Sequence, residues 1–201
     1  MKEHERPGVK SEGAASLHRP DFDDLALVPA RRMAARPAEP GELKDLIALA
    51  QRLIPPLAAA EPAIRRVYRH NPDSIWGVYS GNRPCGVFAM LLLNNRGATA
   101  LLGNRFDASV PDPAHLVRRG ETAAAVYLWA IATPGLASEA FRIVSLWLRS
   151  PAYARADIFT RTTTEAGERF ARNIGFEPVA NTPLHRFQRH SNRPQPTIAV
   201  A

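Results

Sequence analysis

Residues 125–179 alternate strand-sized apolar runs with helix-patterned ones, which commits the chain to a sheet carrying crossover helices. AVYLWAIA at 125–132 predicts a strand, TPG at 133–135 a tight turn and EAFRIVSLWL at 139–148 a helix. ADIFT at 156–160 then predicts a strand, TTTEAGERFARNIG at 162–175 a helix, and FEPV at 176–179 a further strand. A buried strand that feeds through a Gly-containing turn into a helix leaves backbone amides without intrahelical partners. The helix macrodipole favours an anion there. In the 125–132 strand, simple alternation places Tyr127, Trp129 and Ile131 on one face and Val126, Leu128 and Ala130 on the other. Apolar residues on both faces mean a central strand covered from both sides.

The first half of the chain supplies the remaining elements. Residues 30–37 (ARRMAARP) predict an edge strand. Pro40-Gly41-Glu42 opens a helix whose apolar positions Leu43, Leu46, Ile47, Leu49, Ala50 and Leu53 follow helical spacing, and Pro55-Pro56 ends it. A second helix is expected from Glu61 to about His70, with Pro62 in its first turn. Residues 74–80 and 84–93 predict a hairpin about Gly81-Asn82. Residues 94–122 follow as an insertion, with a short helix at 98–102 and a loop-like remainder. A connection of that length is either a functional lid or a solvent-exposed decoration.

Composition excludes several classes. Hydrophobic residues make up 45% and charged residues 22%, the balance of a globular domain. No apolar run reaches the roughly 18 residues a membrane span needs. The charged N-terminus is no secretory signal, which makes cytoplasmic location the expectation. Cys85, the lone cysteine, reads as a small core residue. The net charge of +7 is dispersed over arginine pairs such as Arg31-Arg32, Arg65-Arg66 and Arg118-Arg119 without interleaved aromatics, which argues against nucleic acid and for an anionic small ligand. His4, His18, His70, His115, His185 and His190 have no metal-ligand spacing. Asp21, Asp23 and Asp24 lack the rest of a calcium loop, so no metal is expected.

The strand–turn–helix–strand–helix–strand order, closed by Phe170-Ala171-Arg172-Asn173-Ile174-Gly175-Phe176, resembles the acyl-CoA-binding half of the GNAT superfamily of N-acyltransferases. The strand–helix–helix–hairpin order before it is similar to the beginning of a GNAT domain. The resemblance implies a mixed, mostly antiparallel twisted α/β sheet with helices on both faces. It also implies acetyl-CoA as cosubstrate and an amine as acceptor, and it admits a homodimer. Backbone amides of the central strand, at Ile131 and Ala132, would hold the acyl carbonyl and the pantetheine arm. Thr133, Gly135, Leu136, Ala137 and Ser138 match the pyrophosphate loop, where Gly135 and Ala137 keep the small residues and the basic residue is missing. In the last helix Thr164 stands at the family's Asn position, Gly167 at its Ala and Ala171 at its Tyr, while Gly175 is the expected helix stop.

These readings divide the chain into a flexible tail at 1–24, a GNAT-like domain at 25–190 with its 94–122 insertion, and a tail at 191–201. The leading function is acetyl transfer by direct attack of an amine. Glu121, at the foot of the central strand, is the candidate base, against a surface carboxylate as its structural reading. Tyr127 is the candidate that reaches the cleft, against core packing. The alternative function is a non-catalytic GNAT-like binding or regulatory module, favoured by the missing loop cation and the lost tyrosine.

Overall fold

A computed structural model of the chain describes residues 33–54 and 60–189. The two expected tails lie outside the described residues, as do 30–32 of the expected first strand and the helix-ending Pro55-Pro56. His4, His18, His190 and the Asp21, Asp23, Asp24 group lie outside them too.

Strand β1 (Met33–Pro37) is followed by helix α1 (Leu43–Leu53), which buries Leu43, Leu46, Ile47 and Ala50, the stripe its spacing predicts. Helix α2 (Glu61–His70) carries Pro62 in its first turn, where a missing N–H costs nothing, and buries Ala63, Ile64, Val67 and Tyr68. The Tyr68 hydroxyl donates to the Ala38 carbonyl at 2.8 Å and ties α2 to the end of β1. Strands β2 (Ile75–Ser80) and β3 (Arg83–Leu93) form the expected hairpin, with Gly81 at φ +60°.

Beyond β3 come helix α3 (Asn95–Leu102) and the central strand β4 (Ala125–Ala132). Helix α4 (Ala137–Trp147), strand β5 (Asp157–Thr160) and helix α5 (Glu165–Asn173) follow. Two short strands, β6 (Glu177–Pro178) and β7 (His185–Phe187), end the domain. The seven strands make one sheet in the order β1-β2-β3-β4-β5-β7-β6, and β4–β5 is its parallel pair among antiparallel ones. Helices α1, α2 and α3 cover one face, and α4 and α5 the other. The fold is therefore the mixed, mostly antiparallel α/β sheet that the GNAT resemblance implies.

Residues 94–122 are built into the body of the domain. Leu101, Leu116 and Val117 are buried, so the segment is not a solvent-exposed decoration. Asn94 binds its two ends together. Its side chain accepts from the Gly97 N–H at 2.9 Å and donates to the carbonyls of Ala114 at 2.9 Å and Leu116 at 3.3 Å. The Val117 N–H donates to the Leu92 carbonyl, and the buried Asn71 amide donates to the Val117 carbonyl at 3.1 Å. The short helix begins three residues earlier than its apolar pattern indicates, because Asn94 is a strong N-cap.

The expected alternation along β4 holds only to Leu128. Ala89 pairs with Ala130 but Met90 pairs with Leu128, so Trp129 is an extra residue on β4, a β-bulge. Past the bulge the faces exchange. Ile131 joins Val126 and Leu128 beneath α4, while Ala130 and Ala132 join Tyr127 and Trp129 on the face of α1, α2 and α3.

Candidate active site

The centre of the site is the place where β4 and β5 part. Their parallel pairing runs through Ala125–Asp157, Val126–Ile158, Tyr127–Phe159 and Leu128–Thr160, and then stops. Strand β4 continues through Trp129, Ala130, Ile131 and Ala132, bonded on the β3 side at Ala130, Ile131 and Ala132. Trp129, Ala130 and Ile131 are only half-buried, in contrast to the fully buried first half of the strand. A strand with one side unpaired offers backbone donors and acceptors to a ligand.

The chain leaves β4 through a type II turn at Thr133, Pro134, Gly135 and Leu136. Pro134 occupies the second position, Gly135 the third at φ +69°, and the Leu136 N–H donates to the Thr133 carbonyl at 2.9 Å. Helix α4 starts at once, and no side chain caps its N-terminus. Ser138 is exposed, Leu136 and Ala137 are half-buried, and a Cβ built at Gly135 would meet nothing within 4 Å. The expected loop residues Thr133, Gly135, Leu136, Ala137 and Ser138 thus gather at one open helix N-terminus, directly after Ile131 and Ala132. Gly86 on β3 permits this packing, since a Cβ there would lie 2.6 Å from the Thr133 methyl and 2.9 Å from the Ala132 carbonyl. Two buried polar atoms of this region, Thr133 Oγ1 and Arg142 Nε, have no hydrogen-bond partner among the described residues. The other end of the Arg142 guanidinium lies 3.6 Å from Glu139.

Other expected residues are placed differently. Glu121 stands before the start of β4, at the opposite end of the strand from the parting. Its exposed carboxylate accepts the Arg118 N–H at 2.7 Å and closes a surface turn. Tyr127 lies within the paired half of β4, buried on the face of α3, with its ring 6.3 Å from Phe106. Burial holds its phenol above the ordinary value. Thr164 is the N-cap of α5, its hydroxyl accepting from the Gly167 N–H at 3.0 Å. Helix α5 ends in the expected way. The Phe176 N–H donates to the Ala171 carbonyl and the Gly175 N–H to Arg172, with Gly175 at φ +95°.

The structure also collects a group that the sequence reading set aside. His185 of β7 pairs across the sheet with Thr160, the last residue joined to β4. Its Nε2 lies 3.6 Å from the Glu168 carboxylate, which also accepts from the Thr162 hydroxyl at 2.9 Å and pairs with Arg172 at 3.4 Å. The His185 Nδ1 is buried without a hydrogen-bond partner among the described residues. Spacing could not reveal this group, because three separate elements supply it.

Among the described residues no cluster of three or more His, Cys, Asp or Glu could hold a metal ion. No helix there is long and apolar enough to cross a membrane. No family model matches the sequence, and no curated protein matches it. Solved structures resemble the chain at low identity. An acetyltransferase from Streptococcus agalactiae is 15% identical over 78% of this chain and 96% of its own, with a TM-score of 0.43. An N-acetyltransferase from Staphylococcus aureus is 17% identical over 76% and 96%, with a TM-score of 0.45. A GNAT-like decarboxylase in complex with isobutyryl-CoA is 20% identical over 71% and 72%, with a TM-score of 0.44.

Proposed function

We propose that this chain is a GNAT-type N-acyltransferase that uses acyl-CoA, most simply acetyl-CoA, and an amine acceptor. One observation carries the reading: β4 runs on beyond its last pair with β5, Leu128–Thr160, and passes through one tight turn into the uncapped N-terminus of α4. At Ile131 and Ala132, the backbone groups that face away from β3 suit the amides of a pantetheine arm. Thr133, Gly135, Leu136, Ala137 and Ser138 suit a pyrophosphate, which the macrodipole of α4 attracts. Donors fixed at the acyl carbonyl would stabilise the oxyanion formed when an amine attacks the thioester.

The proton side of the reaction is carried differently from the family pattern. Ala171 has no proton to give the departing thiolate, and a positioned donor is worth roughly 10²–10⁴-fold. Glu168 lies on the same helix and, with His185, is our candidate for that role. A binding-only module is the second reading, favoured by Glu139, whose carboxylate in the first turn of α4 opposes a bound pyrophosphate.

Calorimetric titration of the full chain with acetyl-CoA tests the proposal, followed by thiol release with a panel of amines. Saturable binding with amine-dependent release of CoA is the expected result. Binding without release would support the binding-only reading, and no binding would overturn both.

A further inference from the structure

A second site lies in residues 94–122. Their acidic side chains are all committed to their own backbone. Asp107 accepts from the Ser109 N–H at 2.8 Å and hydroxyl at 2.6 Å, Asp112 from the Ala114 N–H at 2.8 Å, and Glu121 from the Arg118 N–H. Of the four arginines, Arg119 lies 3.3 Å from Asp73. Arg96 and Arg105 have neither an ion pair nor a side-chain hydrogen bond among the described residues. Both line one open pocket of ≈ 480 Å³ with Asn95, Thr99, Ala100 and His115.

The pocket walls are fixed. The Asn94 side chain holds the first turn of α3 to the carbonyls at 114 and 116, so Arg96 and His115 keep a set separation. Gly97 makes that closeness feasible, because a Cβ there would collide with the His115 carbonyl. At the other end of α3, a Cβ at Gly103 would stand 3.3 Å from Arg105 Nε, so a bare glycine leaves the guanidinium room to fold back over the helix. The His115 ring rests 5.9 Å from Phe106, which in turn rests 6.3 Å from Tyr127 of β4.

We propose that this pocket binds the phosphate group of a small molecule other than the acyl donor, with Arg96 and Arg105 as its charged donors and the His115 ring as a further hydrogen-bonding group. Two guanidiniums without a partner among the described residues match a dianion, and their planar donors suit phosphate oxygens. The pocket's volume exceeds what a bare carboxylate fills. It belongs to the face of α3, on which Tyr127 lies, whereas the helix that follows the tight turn, α4, packs on the other face.

Inorganic phosphate and glycerol 1-phosphate, titrated into the full chain at constant ionic strength, test the proposal by calorimetry and by the NMR signals of the His115 ring. Saturable binding of both, with His115 shifting and acetate giving no such response, is the expected result. Arg96→Gln with Arg105→Gln should weaken it at least about tenfold at an unchanged melting temperature in chloride. Arg66→Gln, an exposed arginine of α2, should leave it intact. The site is overturned if binding is not saturable, if the double variant binds as the parent does, or if acetate binds equally well. Repeating the titration with saturating acetyl-CoA separates the two sources of phosphate. Unchanged affinity supports a separate ligand, and competition would give the pocket to the phosphate of CoA itself. If acetyl-CoA fails to bind, the acyltransferase reading fails, and the phosphate titration alone still decides the pocket.

Discussion

Leu128 and Thr160 form the last pair joining β4 to β5, and on the far side of Thr160 the β7 strand brings in His185. The last residue joined across the parting is thus the cross-strand neighbour of His185, whose half-buried imidazole lies 3.6 Å from the Glu168 carboxylate. Glu168→Gln should leave acetyl-CoA affinity within about twofold while lowering turnover by at least about tenfold, in line with the size of a proton-transfer contribution. Steady-state kinetics that separate kcat from KM check this. A change confined to KM would assign Glu168 to binding.

Gly135 holds φ +69° with open space beside it. Gly135→Trp should fill the mouth of the α4 N-terminus and weaken acetyl-CoA binding by more than about tenfold, roughly 1.4 kcal/mol. The positive φ adds strain of about 1–2 kcal/mol to the folded state. Calorimetry and thermal unfolding on the same sample separate the two effects. Unchanged affinity would place the pyrophosphate elsewhere.

Residues 94–122 should behave as core rather than as a removable lid. Leu116 is buried between β3, β4 and α3, and Leu116→Ala should cost about 2–5 kcal/mol. Replacing residues 96–119 by a short Gly-Ser turn should remove stability and ligand binding together, since Val117 and Leu101 leave the core with it. Urea unfolding measures both, and a shortened chain as stable as the parent would contradict the packing.

Acid should weaken the fold through Glu42. The Arg36 guanidinium, bonded to both carboxylate oxygens at 2.7 and 2.8 Å, holds the Glu42 pKa down to about 2. A carboxylate with a folded pKa below its unfolded one stabilises above the unfolded value, near 4.5, and loses that contribution as pH falls toward 2. The parent should lose stability between pH 5 and about 2 more steeply than Glu42→Gln. Equal slopes in denaturant titrations across that range would show that the pair does not couple to folding.

Thr164 should act as a helix cap. Thr164→Ala should cost about 1 kcal/mol, and Thr164→Ser should restore it, because either hydroxyl can accept the Gly167 N–H. Thermal unfolding reads the difference. A loss of acetyl-CoA affinity in the alanine variant, without loss of stability, would assign the hydroxyl to the ligand.

Local chemistry made much of this fold legible. Helical spacing set the buried stripe of α1, Pro-Gly set the turn at 134–135, and Gly175 set the end of α5. What stayed hidden depends on long-range pairing. The bulge at Trp129 arises from register against β3, and nothing in AVYLWAIA marks it. Strand β7 has three residues and exists only because β5 and β6 flank it, so no sequence pattern marked His185 as part of the sheet. Arg96 and Arg105 lie nine positions apart and line one pocket only because the chain after α3 turns back, with the Arg105 N–H donating to the Ala100 carbonyl.

Both rims of the sheet end in proline. Among the described residues, strand β1 pairs only with β2 and closes on Pro37, and β6 pairs only with β7 and consists of Glu177 and Pro178. A proline cannot donate to a neighbouring strand, and a two-residue rim offers almost no template for one. Among the described residues, these features disfavour sheet growth from copy to copy at the β6 margin and at the Pro37 end of β1. At those positions a second copy would meet side chains rather than a row of backbone donors, and side chains encode specificity more readily than a bare backbone does.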